Sequence, residues 1–217
     1  ETLGAKWKNK YTGSFGTGCF SFFPTKNITT TEGGMLTTND KNKYKEVKKL
    51  IAHGINKDKK KQFWHRVADL PGHNFRLPNH LAALGESQLK KLNTFNAKRR
   101  RIAKKYDDFF NKMKDIFTVQ LVKKELSHSY QMYSVLVKTN KRSSLLHFLK
   151  KNGVDASVHF DPPLHKQTYL KKYTTRLINT EKLSREVLTL PIYPNLKDSE
   201  LKIIFNNIKK WYKKNKL

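Results

Sequence analysis

The first forty residues combine short apolar runs with glycines and threonines, a pattern typical of strands and turns. It predicts a short buried strand in the apolar run Phe20–Phe23 and a second strand over Met35–Thr38. Asn39-Asp40 can cap a helix running from about Lys41 to Ala52. The polar, lysine-rich stretch from Asn56 to Leu70 is typical of a loop.

Helical spacing begins at Pro78, a residue that suits the first position of a helix. The apolar period predicts two consecutive helices, or one long kinked helix, between Pro78 and Met113. The remaining residues have an α+β pattern. Its predicted elements are strands over Tyr130–Val137 and Ala156–Phe160 and helices over Ser143–Lys151 (ended by Asn152-Gly153), Asn179–Leu188 and Asp198–Tyr212.

Lys26 differs from most lysines of this chain because it lies outside a lysine-rich run. It follows the apolar run and Pro24-Thr25, so a strand would deliver a single amine to a turn. Removal from water there favours the neutral amine that Schiff-base chemistry requires. Ser21 and the nearby threonine hydroxyls could bind an anion. The alternative is a surface lysine that follows an edge strand.

Ordered strings of residues extend on both sides of Lys26. They are Glu1-Thr2-Leu3-Gly4-Ala5, Phe20-Ser21-Phe22, Lys26-Asn27, Glu32-Gly33-Gly34, His53-Gly54, Gly72-His73-Asn74-Phe75-Arg76-Leu77, Leu81-Ala82-Ala83-Leu84-Gly85, His159-Phe160-Asp161-Pro162-Pro163-Leu164-His165 and Leu190-Pro191 with Pro194. Together they resemble the motifs of the DegT/DnrJ/EryC1/StrS family, whose members are pyridoxal-phosphate-dependent aminotransferases acting mostly on nucleotide-linked keto-sugars. The resemblance covers essentially the whole chain.

The resemblance implies an α/β fold of the fold-type I aminotransferase class. Residues 1–105 would form the remainder of the large cofactor-binding domain with its linking helices, and residues 106–217 a small C-terminal α+β domain. Family members carry a long part before the position of Glu1, including the aspartate that pairs with the pyridine nitrogen. We therefore expect this chain to be the C-terminal part of such an enzyme, inactive or very weak alone.

The resemblance also implies roles for individual residues. Lys26 would be the Schiff-base lysine, and its identity favours transamination over the dehydration chemistry of a branch that carries histidine there. Ser21 would bind the cofactor phosphate, Glu1 would lie near the pyridine ring, and Asn74 would reach the cofactor of a neighbouring subunit. From the residues alone, Ser21 has the alternative role of a turn hydroxyl that bonds its own backbone, and an Asx-turn role is preferred for Asn74.

Substrate contacts are implied for three further residues. Arg76 would hold a carboxylate or phosphate, because a guanidinium group suits both. His159 and His165 would border the sugar-nucleotide site, and their spacing is not that of a zinc site. Glutamate would donate nitrogen and become 2-oxoglutarate, and the shared site would require a homodimer.

The formal net charge of +28 raises the question of a polyanionic partner. Only eight of the cations are arginines, the residue that base recognition and phosphate clamps favour, so nucleic acid is expected to bind only non-specifically. The densest patch, Lys98-Arg99-Arg100-Arg101 with Lys104-Lys105, is expected to be a solvated helix face, with an anion or nucleic-acid site as the alternative.

Other features limit the location and the alternatives. The single cysteine, Cys19, excludes an internal disulfide. No apolar stretch approaches the roughly 20 residues needed to cross a membrane, and Glu1-Thr2-Leu3 shows no signal-peptide pattern, so a cytoplasmic protein is expected. The alternatives to an aminotransferase are a catalytically dead fragment that assembles with a homologue and a basic nucleic-acid-binding protein.

Overall fold

The structure is a computed structural model and describes residues 1–56, 62, 64–138, 140–173 and 175–215. Its strands are β1 (Lys6–Trp7), β2 (Lys10–Tyr11), β3 (Gly18–Ser21), β4 (Gly34–Thr37), β5 (Phe117–Val119), β6 (Leu126–Ser127), β7 (Tyr133–Val137) and β8 (Val187–Leu190). Its helices are α1 (Lys41–Leu50), α2 (Asn79–Leu89), α3 (Leu92–Phe110), α4 (Arg142–Lys151), α5 (Ile178–Glu186) and α6 (Asp198–Asn215), with 3-10 turns over Leu164–Lys166 and Thr168–Tyr173.

The chain divides into two compact units. Unit 1 comprises Glu1–Thr94 and Lys124–Ser129, and unit 2 comprises Phe95–Lys123 and Tyr130–Leu217. The division falls inside α3, near its first turn. The expected domain boundary between residues 105 and 106 remains a prediction.

In unit 1, an antiparallel sheet in the order β2-β1-β6 accompanies a hairpin of β3 and β4. The strand predicted over Met35–Thr38 is confirmed, one residue earlier, as β4. A strand is present near Phe20–Phe23, but it covers Gly18–Ser21, and the expectation that it is buried is wrong. β3 ends at Ser21, and its exposure alternates because only one face of the hairpin is covered. Phe22, just after the strand, is buried.

Helix α1 begins as predicted, because the Asp40 carboxylate accepts hydrogen bonds from the backbone N–H groups of Asn42 and Lys43. It ends two residues before Ala52. Gly54, with φ +70°, donates its N–H to the Lys49 carbonyl and turns the chain away from the helix axis. In the loop predicted over Asn56–Leu70, residues 57–61 and 63 lie outside the described residues.

Two consecutive helices, α2 and α3, follow Pro78 as predicted. Pro78 itself is the residue before the first helical turn rather than the first helical residue, and its backbone is extended (φ −60°, ψ 145°). In the described residues, no helix is long and apolar enough to span a membrane.

Unit 2 is built on an antiparallel sheet in the order β5-β7-β8, with β7 in the centre. The core of this unit is aromatic. Tyr106 of α3 stacks on Tyr133 of β7 with ring centroids 4.5 Å apart, and Phe109 stacks on Phe205 of α6 at 4.1 Å. Trp211 is buried in the same cluster. This packing joins side chains of α3 and α6 in one cluster.

The predicted elements of unit 2 agree with the structure in three places and differ in two. Strand β7, helix α4 and helix α6 are confirmed, and one end of each is shifted by one to three residues. The helix predicted over Asn179–Leu188 ends at Glu186, because Val187 and Leu188 enter β8 and pair with β7. The strand predicted over Ala156–Phe160 is wrong, since only Ser157 forms a bridge there, with Thr189.

Candidate active site

The turn that carries Lys26 is fixed by backbone hydrogen bonds. Lys26 donates its N–H to the Phe23 carbonyl at 3.0 Å, which closes the turn directly after β3. Phe22 donates its N–H to the Gly33 carbonyl, and the Phe22 carbonyl accepts the N–H of Thr30. These two bonds tie the turn to the segment that leads into β4. The buried side chain of Asn27 donates to the Ser129 carbonyl at 3.1 Å. Lys26 therefore projects from a well-anchored loop.

The Lys26 amine is paired with a carboxylate. Its Nζ lies 2.5 Å from Oε1 of Glu1. The side chain of Lys26 is 19% exposed and that of Glu1 is 45% exposed, so the pair lies at the edge of the protein interior rather than in bulk solvent. The Glu1 carbonyl accepts a hydrogen bond from the Ser129 hydroxyl at 3.3 Å, which holds the residue beside the turn. The structure thus brings together two of the residues singled out from the sequence.

Ser21 is the last residue of β3 and faces Gly34 across the hairpin. Its hydroxyl oxygen accepts the N–H of Phe23 at 3.3 Å, which is the local turn bond expected as the alternative role of this residue. As an acceptor in that bond, the hydroxyl keeps its hydrogen for donation to an exposed ligand atom. Ser21 and Lys26 therefore belong to one turn.

Asn74 and Arg76 lie together at a different place in unit 1. Both are exposed, and both line a cavity of about 490 Å³. The other residues of its wall are Glu32, Gly33, Gly34, Phe75, Leu77, Pro78 and Leu81. Lys26 does not line this cavity. The cavity nevertheless adjoins the β3–β4 hairpin, because Gly34 of its wall pairs with Ser21.

His159 and His165 belong to unit 2 and have different partners. Nδ1 of His159 lies 3.2 Å from the Thr189 hydroxyl and 3.3 Å from the Ser157 hydroxyl. Nε2 of His165 lies 3.3 Å from Oε1 of Glu181, which also accepts from Lys166 Nζ and from the backbone N–H of Leu177. The hydrogen bond from His165 is the main reason that the pKa of Glu181 is lowered.

Two arginines are buried and hold segments together, and the sequence did not indicate this role for either of them. Arg99 was assigned to a solvated helix face, but it is only 6% exposed, and its guanidinium donates to the carbonyls of Tyr130, Gln131 and Ile192. Arg142 is bound to Asp161 at 2.6 Å, inside the segment between the two histidines. A run of basic residues does not show which member points inward. A helix face is recognised by the alternation of apolar and polar residues, and such a run has no alternation.

Comparison with known proteins gives a consistent result. A sequence model of the DegT/DnrJ/EryC1/StrS aminotransferase family matches residues 1–209. GDP-perosamine synthase of Escherichia coli O157:H7 is 34% identical over 98% of the chain and 56% of its own length. Among solved structures, Helicobacter pylori PseC, an aminotransferase involved in the biosynthesis of pseudoaminic acid, has a TM-score of 0.89 and 32% identity, over 98% of this chain and 57% of that one.

The PLP form of Spr1654 from Streptococcus pneumoniae, described as a sugar aminotransferase, has a TM-score of 0.85 and 26% identity, over 98% of this chain and 56% of that one. The chain thus spans little more than half the length of each of these relatives. The fold class expected from the sequence, that of fold-type I aminotransferases, is confirmed by these structures. The chain belongs to the DegT/DnrJ/EryC1/StrS aminotransferase family.

Proposed function

We propose that this chain is the C-terminal part of a pyridoxal-phosphate-dependent aminotransferase that transfers an amino group from glutamate to a nucleotide-linked keto-sugar. The observation that supports the proposal best is the Lys26 amine, held next to the Glu1 carboxylate on an anchored turn in a chain of this family. The sugar and nucleotide parts of the proposal rest on the resemblance and on the named relatives.

The groups present on this turn fit part of the cofactor. A primary amine can react with an aldehyde, and Lys26 offers one whose side chain is mostly shielded from water. The Ser21 hydroxyl can donate to a phosphate oxygen. When bound, pyridoxal phosphate supplies an electron sink for the carbon from which the amino group is transferred. The remaining contacts to the phosphate and ring are proposed to come from the part of the protein that precedes Glu1.

Within this proposal, the neutral Lys26 amine would act as the general base that takes a proton from the amino donor's carbon and later returns it. The Glu1 carboxylate orients Nζ of Lys26 through the 2.5 Å contact and can accept the proton that Nζ carries. The carboxylate thereby keeps the amine directed to one side of the turn.

Asn74 and Arg76 are proposed to act across a homodimer. Their location at a cavity that Lys26 does not line is compatible with Asn74 serving the cofactor of a partner subunit. Arg76 would hold a carboxylate or phosphate of donor or substrate. His159 and His165 are proposed to border the sugar-nucleotide site, where the bonds to Thr189 and Glu181 would fix their rings.

An absorbance titration with pyridoxal phosphate tests the role of Lys26. The chain is measured alone and fused behind the preceding portion of a family relative, in each case beside Lys26→Ala. The matched control is Lys49→Ala, which removes another partly shielded lysine that is paired with a carboxylate, Asp69. We expect a visible band in the fusion that is lost with Lys26→Ala and kept with Lys49→Ala.

Transamination is then assayed with glutamate and a nucleotide keto-sugar. We expect turnover by the fusion and little or none by the chain alone. A band that survives Lys26→Ala would disprove the assignment of the lysine. Efficient turnover by the chain alone would disprove the proposal that it needs a further portion.

A further inference from the structure

A second cavity lies in unit 2, between helix α3 and the segment that leads into helix α6. It measures about 560 Å³ and is lined by Lys98, Arg101 and the five residues Pro194, Asn195, Leu196, Lys197 and Asp198. Its wall therefore carries three cationic side chains and one carboxylate. None of the proposed aminotransferase residues takes part in it.

The single carboxylate of the wall is already neutralised from outside the cavity. Both oxygens of Asp198 lie 2.7 Å from Nζ of Lys105. This hydrogen bond is the main cause of the lowered pKa of Asp198, to which the charge of Arg101 also contributes. In the described part of the chain, no carboxylate lies within ion-pair distance of the side chains of Lys98, Arg101 or Lys197. The three cationic side chains of the wall therefore outnumber its single carboxylate, which is bound to Lys105.

Hydrogen bonds on the inner side of α3 connect it to the segment that forms the opposite wall. Arg99 lies between Lys98 and Arg101 in α3. It points inward and donates to the Ile192 carbonyl at 2.8 Å. The Tyr106 hydroxyl donates to the Pro191 carbonyl at 2.9 Å. Leu196 is buried at 6% exposure, which fixes the far end of the segment. These contacts tie the segment of the opposite wall to α3, and the depression between them is open to solvent.

The start of helix α6 is not the source of the attraction for an anion. Glu200 accepts the backbone N–H of Lys197 at 2.7 Å, and Asp198 lies in the first helical turn, so acidic groups of the helix itself already occupy that end. The positive character of the cavity therefore comes from side chains on two separate elements.

We propose that this cavity binds an oligophosphate group, as a free oligophosphate or as the phosphate chain of a nucleotide. A guanidinium and two ammonium groups provide donors for several phosphate oxygens at once. The depression measures about 560 Å³ and is open to solvent, which leaves room for more than a single phosphate. The proposal does not depend on the aminotransferase function.

Isothermal titration of the chain with tripolyphosphate is the first test. We expect saturable binding of one ligand per chain, weakened at least about tenfold by Lys98→Ala/Arg101→Ala, because charge-assisted hydrogen bonds are lost. The control is Lys210→Ala/Lys213→Ala, which removes the same charge from exposed lysines of α6 outside the cavity and should change affinity less than about threefold. Parallel titrations with ADP and pyrophosphate distinguish a nucleotide from a free oligophosphate.

Arg101→Lys provides a second check, because it retains the charge and should bind tripolyphosphate more tightly than the double variant. Circular dichroism of each variant shows whether the fold is kept. Equal losses in the two double variants would mean that only the overall charge attracts the anion, and the proposal would be wrong. The same conclusion would follow from the absence of saturable binding to the wild-type chain.

Discussion

At the scale of single residues, the hydroxyl of Tyr133 has a defined energetic role. It donates to Oδ1 of Asp107 at 2.7 Å, and burial keeps the hydroxyl protonated by raising the pKa of Tyr133. Desolvation raises the pKa of Asp107, whereas this hydrogen bond lowers it. We expect Tyr133→Phe to reduce the free energy of unfolding by about 1–2 kcal/mol, because a partly buried carboxylate loses its donor. Urea unfolding measures the loss.

The pH dependence of this loss follows from the raised pKa of Asp107. The folded state binds the proton more tightly than the unfolded chain, so this group's contribution to stability is complete below its ordinary pKa of 3.8 and declines as pH rises through the higher folded value. Tyr133→Phe raises that folded pKa further, so its cost should be larger at about pH 7 than at about pH 4. In an Asp107→Asn background, the difference between the two pH values should disappear. An equal cost at both pH values in the wild-type background would contradict the prediction.

At the scale of elements, two glycines end helices α1 and α4 with similar backbone angles but different surroundings. Gly54 has φ +70°, and a Cβ there would lie 1.8 Å from the Leu70 carbonyl oxygen. Gly153 has φ +74°, and a Cβ there would meet no described atom within 4 Å beyond its chain neighbours. We expect Gly153→Ala to cost about 1 kcal/mol for the left-handed conformation alone. Gly54→Ala should cost more than about 3 kcal/mol, because backbone must also move.

Thermal unfolding of the two glycine variants, followed by circular dichroism, checks this difference. The two positions serve as controls for each other, since the substitution and the backbone angle are matched. Similar losses for Gly54→Ala and Gly153→Ala would show that the close approach of Leu70 to Gly54 is not a constraint in solution.

At the scale of the whole molecule, the net charge of +28 predicts binding of nucleic acid without sequence preference. We expect two unrelated DNA duplexes to bind with equal affinity, and this affinity to fall steeply between about 50 and about 200 mM salt as counterion release weakens. Fluorescence anisotropy measures both. The double variants Lys98→Ala/Arg101→Ala and Lys210→Ala/Lys213→Ala should weaken duplex binding equally, in contrast to their effects on tripolyphosphate. A preference for one duplex, or an affinity that does not change with salt concentration, would contradict the prediction of non-specific binding.

The sequence alone determined most of the local elements and the candidate lysine. Helix α1 follows from the capping residue Asp40, α4 ends at Asn152-Gly153 as predicted, and the turn of Lys26 follows from the residues around it. These features depend on neighbours in the chain, so their signals are contained in a short window. The family motifs extend this local information over residues 1–209.

Only the tertiary structure decided which distant residues meet. Strand β8 follows α5 without a turn residue, and it forms because β7, about fifty residues earlier, offers a free edge. The inward position of Arg99 depends on three carbonyls from other segments, and the pairing of Glu1 with Lys26 depends on how the first residues return to the turn. Such contacts are set by packing between segments, which composition and periodicity within one segment do not encode.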